Sequence, residues 1–524
     1  MAEPDDVDAR GALHQRLEAC AAERDWPRAL EVLAELAAQE AMPVRRARFH
    51  FAAAVIARDE LDDSALAIAE LDAALDADPR TASAFDALDQ LWLARGDGRR
   101  RVGAYRRQIE RLGDGAPDEL AALWWQVGEQ CLALGDGDAA AGAFQVACEL
   151  VPADLARREQ LIELHLAGGD ARRRDAIAEL QILLGHDPGR IDLYRALAAL
   201  YLAEGELDKA WCVAEVLVVL GTASADERAL HARFATPRYV QAERRISDEL
   251  WRKAIAHPRE DRRIGAILAA ALPALAADTA QPPAAFGLAP EGRVDLEHEP
   301  RAIGRMLRHA CRVLAIDPPP SAWFDPAAAG LRIANVLDGE RARPAVIVGM
   351  PELAAGAGRT LAFAVGQRLA YLRPERLAAL VVATLPRLEA VVAALAGGDP
   401  GDDPGDHPAR RSTARLIAQL PAAVRDQIAE LADAAWRPGD GAVAAWRAAT
   451  DLTANRAGLV LAGDLETAAR AIAVDGAAPG LGVKDRLRDL FGYAASESYF
   501  AVRRHLGRDV GGRVDGGDAS ISEP

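Results

Sequence analysis

Alanines return through the first 225 positions at an almost constant interval, and this periodicity constrains the fold more than any other feature. Ala29, Ala67, Ala104, Ala140, Ala176 and Ala210 each precede an apolar run, at successive spacings of 38, 37, 36, 36 and 34 residues. Prolines at 79, 152 and 188 close units, and turn-like runs "RDEL", "RGDG", "LGDG", "GGDA" and "EGEL" fall between helical stretches. A period of this size marks a repeat array. Each unit cannot bury its apolar face alone, and stacked neighbours share one continuous core.

The clearest unit begins at Ala121, "AALWWQVGEQCLALGDGDAAAGAFQVACELVP". Trp124, Val127, Gly128 and Cys131 mark one helix, Ala140, Phe144 and Ala147 a second, and Pro152 ends the unit. Small residues at Gly128, Ala140 and Ala147 let two helices approach, with Trp124 and Phe144 expected to fill the space between them. "GDGD" at 135–138 supplies the turn and the second helix start. The pattern resembles the tetratricopeptide repeat. That resemblance implies a right-handed α-solenoid of six helical pairs over residues 10–225, with Ala176 and Ala210 in the repeat core and a concave surface for a peptide or partner domain. The first helices, "ASAFDALDQLWLA" and "LWWQVGEQCLA", are poor in basic residues, so the carboxylate clamp of some such domains is not expected. A spacer or a homo-oligomeric contact stays open beside peptide capture.

At 524 residues the chain exceeds one ordinary core, and two to four domains are expected. Aromatics make up only 5% of it, and alanine and leucine dominate, which favours helices over large sheets. Mean hydropathy is -0.05. The most apolar run, Leu377 to Ala396, is interrupted by Pro386, Arg387 and Glu389, so no membrane span is expected. "MAEPDDVDAR" has neither a basic nor an apolar leader region, which points to a cytoplasmic location. A net charge of -17 disfavours a nucleic-acid partner. The runs Arg99–Arg101 and Arg172–Arg174 read as solvated helix starts. Cys20, Cys131, Cys148, Cys212 and Cys311 are single and spaced without CxxC, as small core residues rather than a disulfide or zinc framework.

After about Phe234 the repeat fades. "YVQAERRISDELWRKAIAHP" reads as a helix with Ile246, Leu250 and Ile255 inward, followed by helices in "RRIGAILAAALPALAA" and "RAIGRMLRHACRVLAI". "LRIANVL" and "RPAVIVGM" read as a hairpin or edge strands. "LAFAVGQRLAYLRPE", Leu361 to Glu375, reads as one core helix.

The order of strand pair, "GMPEL" connection and long helix resembles the gluzincin metallopeptidases, whose long helix carries HExxH after a glycine. Here the glycine is Gly366. Gln367 falls at the first zinc histidine, Arg368 at the general-base glutamate and Tyr371 at the second histidine. "DLTANRAGLVLAGDLETAARAI" resembles that family's later helix, with Asp451 at the third-ligand position and Ala454, Asn455, Arg456 and Gly458 matching its Ala-Asp-Arg-x-Gly run. Zinc chemistry needs two imidazoles one turn apart and a carboxylate that deprotonates bound water. Gln367, Arg368 and Tyr371 supply neither. The resemblance, covering roughly residues 300–480, therefore implies a mostly helical α+β domain at 236–508 that kept the fold and lost the metal, as in inactive domains fused to repeat arrays in large bacterial proteins. Arg456 is expected in a structural contact with a carboxylate such as Asp451.

No other motif supplies catalysis. The ten histidines form no metal-ligand spacing; His298 beside Glu297 and Glu299 lies on an extended loop, and His309 follows an apolar rhythm. "AGAGRT" at 355–360 lacks a P-loop lysine. "GGDPGDDPGDHPARR", 397–411, reads as a mobile insert carrying His407, and 509–524 as a disordered tail. The leading expectation is a non-enzymatic scaffold without cofactor or metal, binding a protein or peptide through the repeat groove or the vestigial peptidase cleft. A peptide-sensing regulator using that cleft is the alternative, and an atypical metal-dependent peptidase the third reading.

Overall fold

The computed structural model describes residues 4–113, 115–236, 239–356, 358–396, 408–432, 438–476, 478 and 480–510. The chain divides into two compact units, Met1–Glu179 and Leu180–Pro524. The fold is mostly α, with one small sheet among the described residues.

The first unit is a run of helical pairs: Pro4–Glu23 with Trp26–Gln39, Pro43–Asp59 with Ser64–Ala77, Ala82–Ala94 with Gly98–Leu112, Pro117–Ala133 with Gly137–Leu150, and Leu155–Ala167 with Arg173–His186, the last crossing the division. Four second helices start the same way. Asp25, Asp63, Asp97 and Asp136 each accept a hydrogen bond from a first-turn N–H, which satisfies a donor the helix leaves unpaired and places negative charge at its positive end. Ala29, Ala67, Ala104, Ala140 and Ala176 are at most 1% exposed. Ala147 is also buried.

At Gly128 the helices touch so closely that a Cβ would lie 2.3 Å from Phe144 Cε1. The ring that meets Phe144 is Trp125, with centroids 4.2 Å apart. Trp124 and Trp125 are both partly buried against this cluster. The arginine runs are paired with acids: Arg101 with Asp89, Arg172 with Asp138 and Arg173 with Asp170.

The second unit opens with a further pair, Ile191–Ala203 and Leu207–Val219, in which Ala210 is fully buried, and then Ala225–Phe234. The expected helix over "YVQAERRISDELWRKAIAHP" does not form as one piece. Its described residues form no regular element up to Ser247, whose hydroxyl accepts from Leu250 N and starts the short helix Asp248–Leu250, followed by the wide turn Trp251–Ile255. Ile246 N donates to Val313 O, a non-local bond that a continuous helix would forbid.

Next come the helix Arg262–Thr279 and a four-stranded sheet: β1 (Arg293–Val294), β2 (Ser321–Phe324), β3 (Leu331–Asp338) and β4 (Arg341–Val348), in the order β1-β2-β4-β3. β3 and β4 form the antiparallel hairpin read from the sequence, turning at Gly339 with φ +66°. β2 runs parallel to β4 and antiparallel to β1. The sheet packs on Arg262–Thr279, and β3 also meets the helix Arg359–Leu369.

Leu361 to Glu375 is not one helix. Arg359–Leu369 ends in a tight turn, Ala370–Leu372; Arg373 is extended at ψ 137°, as a residue before proline prefers, and Pro374–Val381 begins anew. All five cysteines are buried and free. Residues 397–407, with His407, lie outside the described residues, whereas Pro408 to Arg411, read as part of the same insert, open the helix Pro408–Gln419. Of the tail, 511–524 lie outside the described residues, and Val510 N donates to Asp208 Oδ1 at 3.1 Å. No helix among the described residues is long and apolar enough to cross a membrane.

Candidate functional site

Within the second unit, Arg359–Leu369 packs against the long helix Ala442–Ala462. Their contact runs through glycine: a Cβ on Gly366 would lie 2.9 Å from Ala457 O, and one on Gly458 would lie 2.8 Å from the Phe363 ring. With no side chains holding the backbones apart, polar residues beside the glycines are pressed together. Gln367 Nε2 donates to Asn455 Oδ1 at 2.9 Å and to Asp475 Oδ2 at 3.3 Å. One turn on, Tyr371 OH donates to Asp451 Oδ1.

The helix Val483–Ala494 adds Arg486, 4% exposed, which reaches Asn455 Oδ1 at 3.1 Å, Gly476 O at 2.6 Å and Asp475 at 3.5 Å. Arg368 donates through Nε to Leu331 O of β3 and lies 3.6 Å from Asp475. Gln367, Arg368, Tyr371, Asp451 and Asn455 thus line one cavity of about 270 Å³, joined by Arg447, Asp475 and Arg486.

Arg456 is the exception. Its guanidinium points elsewhere and forks onto Asp489, at 3.0 and 2.5 Å, with His257 Nε2 3.2 Å from the same carboxylate. The contact expected with Asp451 is not made. Burial alone would raise the Asp489 carboxyl, but the Arg456 and His257 partners outweigh it and hold the group well below the usual carboxylate range.

Protonation in the cavity follows from burial. The Tyr371 phenol is pushed well above its ordinary value by burial and by the Asp451 charge, so it stays a donor. Burial raises the Asp451 carboxyl too, against the Tyr371 hydrogen bond and the Arg486, Arg447 and Arg368 charges. A zinc ion does not fit this donor set. There is no imidazole, the phenol holds its proton, the amides of Gln367 and Asn455 are bonded to each other, and guanidinium groups surround the one carboxylate at a ligand position. Among the described residues, no three His, Cys, Asp or Glu side chains gather anywhere as a metal cluster. His298 bonds Asp295 on the surface at 2.7 Å, and His309 is buried with Nδ1 3.2 Å from Arg312. Among the described residues the cavity pairs no nucleophile with a free base: Tyr371 is held protonated by burial and by the Asp451 charge.

Sequence reasoning missed Asp475, Arg447 and Arg486. Arg486 had a readable signal, since it shares the spacing of Leu490 and Tyr493 on the buried stripe of its helix, where a charge is out of place unless it has a task. Asp475 closes the helix Leu465–Asp475 and carried no such mark.

No protein-family profile and no curated protein matches the chain. Solved structures that resemble it include that of MamA, at 18% identity over 29% of this chain and 84% of that one, with a TM-score of 0.20. YrrB, described as a TPR protein with an unusual peptide-binding site, is 18% identical over 36% of this chain and 91% of its own, with a TM-score of 0.21. Pseudomonas aeruginosa pilF is 17% identical over 44% of this chain and 99% of its own, with a TM-score of 0.20. At such identities and scores these likenesses carry no functional argument, and the helical-pair architecture rests on the geometry described above.

Proposed function

We propose that the chain is a non-catalytic adaptor: tetratricopeptide-type helical pairs over about residues 10–225, joined to a metallopeptidase-like domain at 236–508 that binds a peptide or protein segment without cutting it. The observation that carries this reading is the convergence of Gln367, Arg368, Tyr371, Asp451 and Asn455 on one cavity whose groups can hydrogen-bond a ligand but cannot hold zinc. Residues far apart in the chain meet there across a glycine-lined helix crossing, and this supports the reading.

The repeat half offers a second contact surface. Leu93, Leu132 and Leu166 are each the penultimate residue of a first helix, and each is more than 40% exposed. Apolar side chains repeated on successive units are a natural seat for a partner.

The test is a fluorescently labelled peptide pool added to the full-length protein, with and without zinc, followed by anisotropy and by mass spectrometry. Binding with intact peptides in both conditions is the expected result. Zinc-dependent cleavage abolished by Asp451→Ala would overturn the reading in favour of an atypical peptidase.

A further inference from the structure

We propose that the cavity between the Arg359–Leu369 and Ala442–Ala462 helices binds a carboxylate group, carried by a peptide C-terminus or by a small organic acid. The proposal rests on the reading of this cleft as a binding site and names the chemistry it takes.

The fully buried side-chain atoms of the cavity lining that lack a partner are both donors. Asn455 Nδ2 and Arg486 Nε are buried donors with no partner, on residues 1% and 4% exposed. The Asn455 orientation is forced: turning its amide over would set Nδ2 against Gln367 Nε2 and an Arg486 NH2, donor facing donor. The half-buried Arg447 guanidinium, on the same wall, makes no hydrogen bond or ion pair among the described residues.

Part of the acceptor capacity is already engaged. Asn455 Oδ1 takes two donors, Asp451 Oδ1 takes Tyr371, and Asp475 is shared by Gln367, Arg368 and Arg486. A cation entering here would meet three guanidinium groups set against two carboxyls. A ligand with two acceptor oxygens in one plane would instead satisfy the amide and guanidinium donors together, the geometry arginine reads best. Leaving such donors buried and unpaired is costly, and native folds rarely do so without a reason. The space, about 270 Å³, falls just below the usual ligand-pocket range of about 300–1,000 Å³, so it suits a chain end or a small acid rather than an extended strand.

The experiment is calorimetric titration of the full-length protein with three probes: acetyl-trialanine, the same peptide as its C-terminal amide, and succinate. Arg447→Met serves as the principal variant because its guanidinium holds no structural partner; Arg486→Met is the second, with thermal melting as the check on folding. The expected result is that the free-acid peptide binds about tenfold or more tighter than the amide, and that Arg447→Met removes this preference. Equal binding of acid and amide would overturn the carboxylate assignment while leaving a peptide cleft in place. Succinate binding lost in Arg447→Met, with no binding of either peptide, would uphold the carboxylate and remove the peptide reading. Absence of binding by all three probes to a folded protein would overturn both.

Discussion

Gly366 and Gly458 face each other where two helices of the second unit cross, and a Cβ on Gly366 would come 3.1 Å from the Gly458 Cα. This contact is what sets Gln367 over Asn455 and Tyr371 over Asp451. Even one methyl must therefore part the helices. Gly366→Ala or Gly458→Ala is expected to lower stability by about 1–3 kcal/mol, read from urea unfolding. An unchanged midpoint would show that the backbones have room to separate.

Gly128 and Phe144 form the corresponding contact in the repeat unit. A Cβ at 128 collides with a buried ring that also packs against Trp125 of the same helix. Gly128→Ala should destabilise by about 1–3 kcal/mol, and adding Phe144→Leu should recover part of the loss. Purely additive costs would contradict the direct clash.

These two contacts divide what the sequence disclosed from what it hid. In the repeats, small residues recur at fixed intervals and aspartates cap successive helices, so period, pairing and core positions could be read directly. Elsewhere the signals were local and misleading. Residues 239–255 have a helical apolar rhythm, but Ser247 caps a new start and Ile246 bonds across to Val313. β1 and β2 span two and four residues, too short for alternation to register; β4 offers β2 an edge, and β2 in turn offers one to β1. The break after Leu369 follows from Pro374, which restricts Arg373 to an extended backbone. In the cavity, the residues on the two crossing helices were singled out by a gluzincin resemblance that no family profile matches. Asp475 and Arg486 arrive from later segments, and no spacing links them to Gln367.

Glu215 is a buried carboxyl whose stability effect has a definite sign. Its Oε1 accepts from Leu465 N at 2.9 Å and its Oε2 has no partner. Burial pushes it up to about 7, against the Leu465 hydrogen bond and the Arg503 charge. Because the folded value exceeds the ordinary 4.5, its contribution is full below pH 4.5 and is lost as pH rises through about 7. The wild type should lose about 3 kcal/mol relative to Glu215→Gln between pH 4.5 and 8, read from denaturant midpoints at both pH values. Parallel profiles would mean that the carboxyl ionises without cost.

Arg456 and Asp489 make the opposite case. Arg456→Met strands a buried carboxylate and should cost about 3–5 kcal/mol at neutral pH, with Asp489→Asn restoring part of it. Since the folded carboxyl lies below its ordinary value, the pair's contribution is present above about pH 4 and fades as pH falls. The gap between wild type and variant should narrow in acid. A constant gap would assign the effect to lost packing against Tyr493, whose ring lies 4.7 Å from the guanidinium carbon.

The account turns on a cavity whose groups cannot hold zinc, and metal content tests this most directly. Protein purified without chelator, then dialysed against zinc and freed of excess, would be assayed by elemental mass spectrometry beside Asp451→Ala. The account predicts no stoichiometric zinc in either sample. One zinc per chain in the wild type, lost in the variant, would contradict it and return Tyr371 and Asp451 to the role of ligands.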